Sequence, residues 1–306
     1  MSVKSVLAVD AGQTAIKVRL DTPERRDELV FRGIDTHEPL LPQLAAVVRE
    51  SVQRTHGAPA LVTAGISGLT ERDADAPALL ALVRDTGIRG AMLAHDSTTS
   101  FLGALGHRHG AVVAAGTGVV TLAVGARAVA RVDGWGYIMG DAGSGYWIGR
   151  EALDAVMRAF DGRGPATALG EVVRGRWPDL AQAYIALQSD EDRVRIVASF
   201  AADVAALAVR GDEVAMDITV RAARELASSV TTAIARVREG DETFAVCAVG
   251  GVFGSTPLQE AFGAAVSGAG AEIVTPLGTA IDGAVALADL APAHPLIAAV
   301  QRAGIV

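Results

Sequence analysis

The stretch SVLAVDAGQTAIKVRL, residues 5–20, decides the fold class, because it predicts two strands joined by a very short turn. Val6 to Val9 are strand formers, and Ile16, Val18 and Leu20 alternate with polar residues. Two strands connected this closely form a hairpin. Beyond it, a third strand and a strand–helix–strand–helix pattern follow to about residue 106.

The same order then begins again with GAVVAAGTGVVTLAVG, residues 110–125, a second hairpin with a Gly-Thr-Gly turn. A long helical region follows, and then strand, helix, strand and helix. The repeated order predicts an α/β protein of two similar domains, residues 1–108 and 109–306. We expect the second domain to carry a helical insertion at about residues 149–238.

Composition excludes several classes of function. The chain of 306 residues has a formal net charge of −8 and two lysines, which argues against a nucleic-acid partner. Its single cysteine, Cys247, allows neither an internal disulfide nor a cysteine-based metal site. No run of about 18 apolar residues is present, and the N-terminus lacks a signal-peptide pattern. We therefore expect a cytoplasmic protein without a membrane span.

Three glycine turns follow predicted strands: Asp10–Thr14, Ala115–Val119 and Val249–Ser255. Successive backbone N–H groups in such turns bind phosphate oxygens without a basic side chain. Taken singly, each turn is more typical of ordinary turn chemistry than of a phosphate site. The matching positions of the first two turns in the two halves favour a polyphosphate site. The chain contains neither a Walker motif nor a complete dinucleotide-binding fingerprint.

Carboxylates end several predicted strands. Asp96 follows the strand AMLAH and suits the base of a phosphoryl transfer to an alcohol, although it could instead cap the next helix, as Ser97 also could. Asp10 suits Mg²⁺, with a turn-forming role as the alternative. Asp282 is interpreted as a helix cap. Since adjacent strand residues face opposite ways, His95 is expected to pack or be solvated, away from the chemistry.

Five stretches, in this order along the chain, resemble the N-acetylglucosamine kinase-like members of the BadF/BadG/BcrA/BcrD ATPase family, which belongs to the actin-like sugar-kinase superfamily. They are VDAGQT, AHDSTTSFLGALG, VVAAGTGVVTLAVG, GWGYIMGDAGSGYWIG (residues 134–149) and AVGGVFGSTPLQEAF. The resemblance covers nearly the whole chain and is most specific in residues 134–149. It implies two ribonuclease-H-like domains with a cleft between them, MgATP as cofactor and an amino sugar as substrate.

The resemblance also implies site residues. Asp96 matches the catalytic aspartate, and Asp10, the candidate for Mg²⁺, belongs to the first phosphate motif. The residues matching the first phosphate turn are Gly12, Gln13 and Thr14, those matching the second are Gly116, Thr117 and Gly118, and those matching the adenosine motif are Gly250, Gly251 and Val252. The residues matching the sugar pocket are Ser67, Gly68, Asp96, Thr117, Trp135, Gly136, Asp141 and Ser144. For Trp135 and Trp147, core packing is as good an interpretation as stacking on a sugar.

The chain departs from the family pattern at three places. Ala15 replaces the usual lysine of the first turn, and Lys17 is the candidate to compensate. Ala142 replaces the glutamate that normally follows Asp141. The chain contains no asparagine, so Asp35 or Thr36 would have to replace the asparagine that often touches the sugar.

We expect an ATP-dependent kinase that phosphorylates the 6-hydroxyl of an amino sugar, with N-acetylglucosamine as the first candidate. Glucosamine and N-acetylmuramic acid are alternative substrates, and a homodimer is the assembly implied by the resemblance. An activator with a shared iron–sulfur cluster is largely excluded by the single cysteine. A non-catalytic sugar- or nucleotide-sensing protein on the same fold stays open.

Overall fold

The computed structural model describes residues 5–35 and 38–304, which form two compact α/β units. The first unit contains the chain up to His109, residues 124–129 and the chain from Thr275 onward. The second unit contains residues 110–123 and 130–274. Each unit is built around one sheet.

The sheet of the first unit has six strands in the order β3-β2-β1-β4-β5-β11. Helices α1 and α2 and one face of the sheet share a single hydrophobic core, in which Leu7, Val9 and Leu44 are fully buried or nearly so. The elements are β1 (Val6–Ala11), β2 (Ala15–Asp21), β3 (Arg26–Arg32), α1 (Leu40–Thr55), β4 (Leu61–Ile66), α2 (Ala76–Val83), β5 (Gly90–His95), α3 (Asp96–Leu105), α10 (Ala280–Ala286) and β11 (Gln301–Gly304).

Strands β1, β4 and β5 are parallel neighbours in nearly equal register. Asp10 lies opposite Gly65, and Ile66 lies opposite His95. Consequently the three strands end at the same edge of the sheet. Side chains that follow these strands can therefore meet there, which is the usual place for a site in an open α/β sheet.

The sheet of the second unit has five strands in the order β8-β7-β6-β9-β10. This order repeats β3-β2-β1-β4-β5 of the first unit and confirms the predicted duplication. The elements are β6 (Gly110–Ala115), β7 (Val119–Val124), β8 (Val129–Val132), α4 (Gly145–Phe160), α5 (Leu169–Arg176), α6 (Leu180–Ser189), α7 (Arg193–Val209), α8 (Glu213–Ala235), β9 (Phe244–Val249), α9 (Thr256–Gly268) and β10 (Ala271–Ile273).

Five consecutive helices, α4 to α8, separate β8 from β9 and form the predicted helical insertion. The insertion packs tightly where α4 crosses α7. A methyl group on Gly149 would lie 1.8 Å from the carbonyl oxygen of Val197. No helix within residues 5–35 and 38–304 is both long enough and apolar enough to cross a membrane.

The chain from Thr275 onward differs from the predicted division at residue 108, which assigned it to the second domain. In the structure it belongs to the first unit, because β11 pairs antiparallel with β5 and α10 packs on α3. The two helices approach at Gly103 and Gly283. A methyl group on Gly283 would lie 1.7 Å from the Thr99 carbonyl oxygen, so only glycine allows this approach.

An ion pair also ties α10 to the hairpin. Asp282 accepts a hydrogen bond from the Thr279 amide at the start of α10, which confirms its interpretation as a cap, and its Oδ1 lies 2.6 Å from Arg19 Nη1. Although sequence alternation placed Arg19 on a polar face, it is 7% exposed. Partial burial alone would raise the pKa of Asp282, but Arg19 and Thr279 outweigh it and lower the pKa to about 2.

We expect Asp282→Asn to lower the free energy of unfolding at pH 7 by about 1 kcal/mol, because the carboxylate is partly exposed and solvent screens the pair. Because the pKa of Asp282 is lower in the folded state, its ionised carboxylate stabilises the fold at pH values above the unfolded-state pKa of about 4. This stabilisation is lost as the pH falls to the folded-state pKa of about 2. Urea unfolding of both proteins at a series of pH values tests this. A difference that persists at pH 2 would contradict the assignment.

Candidate active site

Asp96 lies where β5 passes into α3, at the carboxyl edge of the first sheet. Its Oδ1 is shielded from solvent, whereas the side chain as a whole is 30% exposed. Burial alone would raise the pKa of Asp96, but hydrogen bonds from the His95 ring, the Ser67 hydroxyl and the Ser97 amide lower it below its usual range. Asp96 is therefore an ionised, hydrogen-bonded carboxylate with one face open to a ligand.

The prediction for His95 is wrong, because its side chain turns towards Asp96. Its Nδ1 lies 2.8 Å from Asp96 Oδ1 and 3.2 Å from the Ser97 amide nitrogen. Strand alternation does not apply here, since His95 is the last strand residue and the N-cap of α3. The suggestion that Asp96 or Ser97 caps this helix is also wrong, because the His95 ring is the cap.

Asp10 ends β1 beside Asp96 and lies directly opposite Lys17 of β2. Burial and the charge of Asp96 raise the pKa of Asp10, and the charge of Lys17 opposes them. Lys17 points to the same face of the hairpin as residue 15, one pair further from the turn. Lys17 can therefore supply charge on the face where the family has its lysine.

The Asp10 carboxylate has no hydrogen-bond donor among the residues that the structure describes, and its neighbour Thr14 offers an exposed hydroxyl. Within the same residues, no group of three or more His, Cys, Asp or Glu side chains could hold a metal ion. One carboxylate with phosphate oxygens and water suits Mg²⁺, which keeps several waters in its shell. Asp10 therefore fits a magnesium ion that arrives with a nucleotide.

The first glycine turn is short and open. The Gly12 amide donates to the Ala15 carbonyl at 3.1 Å, and Ile34 donates to the Gly12 carbonyl at 3.0 Å. Gln13 and Thr14 are exposed, and in the described part of the chain their amides have no protein acceptor. The turn thus offers two free N–H groups at the end of β1.

The second turn, Gly116–Gly118, is held by the start of α4. The amides of Gly145 and Tyr146 donate to the carbonyls of Gly116 and Thr117 at 2.8 and 3.0 Å. The outward side of the turn is exposed at Gly116 and Thr117. The Gly116 amide donates to the Gly118 carbonyl at 2.9 Å, so all three carbonyls of the turn accept hydrogen bonds. The turn therefore presents the amides of Thr117 and Gly118 and the Thr117 hydroxyl, which suits an anion.

A cavity of about 590 Å³ lies beside this turn, within the second unit. Its lining includes Gly116 and Thr117, the third glycine turn at Gly251 and Val252, and α7. Its size is in the range of small-molecule sites. Gly250 holds the third turn against β6. Its φ is +104°, and a methyl group there would lie 2.2 Å from the Ala115 carbonyl oxygen.

Asp141 is buried and braces the second turn from behind. Its carboxylate accepts hydrogen bonds from the Gly136 and Val119 amides, and a methyl group on Gly118 would lie 2.6 Å from its Oδ2. Burial, and then the charge of Asp133, raise the pKa of Asp141. Its φ of +59° is left-handed, which is unusual for a residue with a side chain.

Asp133 is the residue that sequence reasoning missed. Its carboxylate accepts the amides of Gly134 and Asp141 at 2.8 Å and of Ala142 at 3.1 Å, and so closes the loop between β8 and α4. The sequence does contain one signal for this position, because an Asp-Gly pair such as Asp133-Gly134 after a predicted strand is typical of turns. Asp133 therefore positions Asp141.

We expect Asp133→Ala to lower the free energy of unfolding by about 2–3 kcal/mol, because three amides lose their acceptor. Alanine is also disfavoured in the left-handed backbone of residue 133, whose φ is +60°. Asp133→Asn keeps one acceptor oxygen and tolerates the same backbone, so its loss should be smaller. Chemical denaturation of both variants measures the difference. Equal stability of the alanine and asparagine variants would argue against this role.

The rest of the glycine–aromatic block is only partly accessible. Trp135 is 68% exposed, with the Arg131 guanidinium 5.7 Å from its ring, so core packing is wrong for this residue. Trp147 is half-buried under Arg221. The prediction that Ser144 contacts the sugar is also wrong. Ser144 is fully buried, and as the N-cap of α4 its Oγ accepts a hydrogen bond from the Trp147 amide.

The profile of the BadF/BadG/BcrA/BcrD ATPase family matches residues 8–288, which is most of the chain. The chain belongs to the BadF/BadG/BcrA/BcrD ATPase family. Membership in this ATPase family implies use of ATP, and the resemblance stated from the sequence is confirmed.

The chain is 26% identical over 272 residues to an N-acetylmuramic acid/N-acetylglucosamine kinase of Clostridium acetobutylicum, with 82% of this chain and 86% of that protein covered. A crystal structure of a proposed N-acetylglucosamine kinase from Chromobacterium violaceum is 24% identical with a TM-score of 0.70, covering 94% of this chain and 99% of that one. One from Porphyromonas gingivalis is 17% identical with a TM-score of 0.69, covering 92% and 97%. These structural likenesses confirm the two-sheet, actin-like sugar-kinase fold.

Other predicted contacts of this ATPase-family chain belong to the first unit. Ser67 and Gly68 follow β4 in the first unit, where Gly68 is exposed and has a φ of +71°. Asp35 follows β3 in the same unit, and its amide is held by Gln43 at 2.9 Å. Thr36, the other candidate to replace the missing asparagine, lies outside the described residues.

Helix α7 is a part of the cavity that sequence reasoning did not assign to a site. The face that lines the cavity consists of small residues, including Ala198, Ala202 and Ala205. Their spacing of three and four along the helix was visible in the sequence. However, alanine at helical spacing is equally typical of close helix packing, so it did not identify a site.

Proposed function

We propose that this chain is an ATP-dependent kinase that phosphorylates the 6-hydroxyl of an amino sugar, with N-acetylglucosamine as the substrate. The observation that carries the proposal is the position of Asp96, ionised and hydrogen-bonded at the carboxyl edge of the first sheet, next to Asp10. The family match and the similarity to a kinase of N-acetylmuramic acid and N-acetylglucosamine support it.

In the proposed reaction, Asp96 orients the sugar 6-hydroxyl and accepts its proton as the oxygen attacks the γ-phosphorus of ATP. Phosphoryl transfer depends mainly on alignment and on neutralised phosphate charge, so the lowered pKa of Asp96 does not prevent this role. A base that stays ionised is always ready to receive the proton. Ser67, which donates to Asp96, keeps the carboxylate in place.

The glycine turns are proposed to hold the nucleotide. Amides of Gln13 and Thr14 and the Lys17 ammonium would bind phosphate oxygens in the first unit, and Gly12 would close the turn through its own hydrogen bond to Ala15. In the second unit, the turn at Gly116–Gly118 would bind phosphates, and the turn at Gly250–Val252 would lie against adenosine in the cavity. Asp10 would hold Mg²⁺, which neutralises phosphate charge when bound.

The sugar is proposed to contact the loop that Asp141 braces, together with Ser67 and Gly68. Trp135 offers an exposed ring on which a sugar face can stack. The Asp141 carboxylate already receives two amides, so it can accept a sugar hydroxyl only through a remaining lone pair. The Gly136 amide donates a hydrogen bond to Asp141, and its carbonyl accepts hydrogen bonds from two amides of the same loop. This glycine therefore shapes the loop, and its lack of a side chain leaves room for a ligand.

The assembly and location are also proposals. The net charge of −8 and the lack of a basic stripe in the sequence support the absence of a nucleic-acid partner. The resemblance to the family supports a homodimer, and we propose a cytoplasmic location without a membrane partner. Light scattering of the purified chain measures the assembly.

A coupled ADP-release assay over N-acetylglucosamine, glucosamine and N-acetylmuramic acid, with MgATP, tests the proposed function. We expect ADP release with N-acetylglucosamine and product phosphorylated at oxygen 6, detected by NMR. ATP binding without sugar-dependent ADP release for any of them would favour the non-catalytic sensing protein instead.

A further inference from the structure

His95 occupies a position that the proposed function does not explain. Its ring is the cap of α3, yet the same nitrogen lies 2.8 Å from Asp96 Oδ1, 2.9 Å from Ser97 Oγ and 3.2 Å from the Ser97 amide nitrogen. Capping a helix requires only a short polar side chain such as serine. An imidazole that reaches the neighbouring carboxylate therefore does more than begin a helix.

The single nitrogen Nδ1 cannot serve all three neighbours at once. Without a proton it accepts from the Ser97 amide, and with a proton it donates to Asp96 Oδ1. The distance from Nδ1 to Asp96 Oδ1 is the shortest of the three, 2.8 Å against 2.9 Å to Ser97 Oγ and 3.2 Å to the Ser97 amide. Asp96 Oδ1 is shielded from solvent, and within the described residues no donor is aligned with it. A buried carboxylate oxygen needs a donor, and His95 is placed to be that donor.

A hydrogen bond from His95 Nδ1 to Asp96 Oδ1 would also determine which oxygen of Asp96 faces a ligand. With Oδ1 shielded and the carboxylate partly exposed, Oδ2 is the oxygen that a ligand can reach. A carboxylate fixed at one oxygen has a defined direction for the lone pairs of the other. Such alignment matters because small errors in the position of a reacting group reduce rates strongly.

We propose that His95, with Nδ1 protonated, is a positioning residue for Asp96, and that its hydrogen bond to Oδ1 directs Oδ2 towards the acceptor hydroxyl. The inference rests on the proposed function for the role of Asp96, and the 2.8 Å approach of His95 Nδ1 to Asp96 Oδ1 is independent of it. His95 does not touch the substrate in this scheme.

The groups facing Asp96 come from every neighbouring element of the first unit. Asp10 at the end of β1 repels the Asp96 carboxylate, and Lys17 lies beside Asp10 on β2. Ser67 after β4 donates to the carboxylate, as does the Ser97 amide of α3. Among these, only His95 combines a donor with a titratable ring.

Three variants separate positioning from capping. His95→Asn places an amide nitrogen where Nδ1 stands and still caps the helix, His95→Ser caps the helix but is too short to reach Asp96, and His95→Ala does neither. We expect the serine and alanine variants to lose about 10- to 100-fold in kcat with little change in the ATP dissociation constant. The asparagine variant should retain most of kcat, and the serine and asparagine variants should unfold near the wild-type temperature.

The pH dependence of kcat distinguishes positioning from capping, because loss of a helix cap alone would not change it. His95 lowers the pKa of Asp96, so its loss should raise that pKa and shift the acid limb of kcat to higher pH. The same shift can be measured without activity, by following the Asp96 carboxyl carbon in a ¹³C NMR titration of wild type and His95→Ser.

The outcomes are distinct for the two proposals. Wild-type kcat and an unmoved Asp96 titration in His95→Ser would overturn the positioning role while leaving the kinase intact. Absence of sugar-dependent ADP release from the wild type would overturn the kinase, and the NMR titration would still decide whether His95 holds Asp96.

Discussion

Asp96→Asn should almost abolish sugar phosphorylation while the protein still binds ATP. We expect kcat to fall by about 10²- to 10⁴-fold, the usual contribution of a positioned general base. Asparagine has nearly the same shape and keeps one oxygen, but it cannot accept the hydroxyl proton. Sugar-dependent ADP release and isothermal titration with ATP measure the two effects separately.

A matched control is Asp75→Asn, since Asp75 also begins a helix of the first unit and its side chain accepts the Ala78 amide at 2.8 Å. Asparagine is an equally good N-cap, so this variant should keep wild-type kcat and stability. Full phosphorylation of N-acetylglucosamine by Asp96→Asn would remove Asp96 from the chemistry. Loss of ATP binding in the same variant would instead indicate a misfolded first unit.

The parts of the fold that sequence predicted are those with local signals. Strand alternation, short glycine turns and helical spacing predicted both hairpins and the insertion, because each signal lies within some 20 residues of chain. The carboxyl-edge position of Asp10, Ser67 and Asp96 followed from the same signals, since each residue ends or follows a predicted strand. Recognition of the family contributed the assignment of those positions to a sugar kinase.

The rest depended on contacts between distant parts of the chain. Helix α10 returns to α3 through Gly103 and Gly283, which are separated by 180 positions and carry no periodic signal. The burial of Arg19 has the same cause, because its partner Asp282 lies on α10. A short-range rule placed Arg19 in solvent, and the long-range ion pair overrode it.

The site contained two further surprises of a different kind. His95 faces Asp96 because the backbone changes from strand to helix at that residue, where neither periodicity holds. Asp133 binds three amides through a left-handed backbone, and sequence gives only a weak preference for such a conformation. Side-chain roles at the ends of elements are therefore less predictable than the elements themselves.

Gly250→Ala and Gly251→Ala change neighbouring residues, but the first should affect stability and the second ATP binding. We expect Gly250→Ala to lower the free energy of unfolding by about 3 kcal/mol, because φ is +104° and the new methyl group would lie 2.2 Å from the Ala115 carbonyl oxygen. The main chain after β9 would have to move away from β6. Differential scanning calorimetry of both variants measures the effect.

The neighbouring Gly251 has open space where an added methyl group would lie, and it lines the cavity that we assign to adenosine. Gly251→Ala should therefore unfold like the wild type and weaken ATP binding, because the methyl group would stand between backbone and purine. Unchanged ATP affinity in Gly251→Ala would argue that the nucleoside lies elsewhere in the second unit. If Gly250→Ala were as stable as the wild type, the third turn could move away from Ala115 without loss of stability. The contact with Ala115 would then not be what holds this turn beside the cavity.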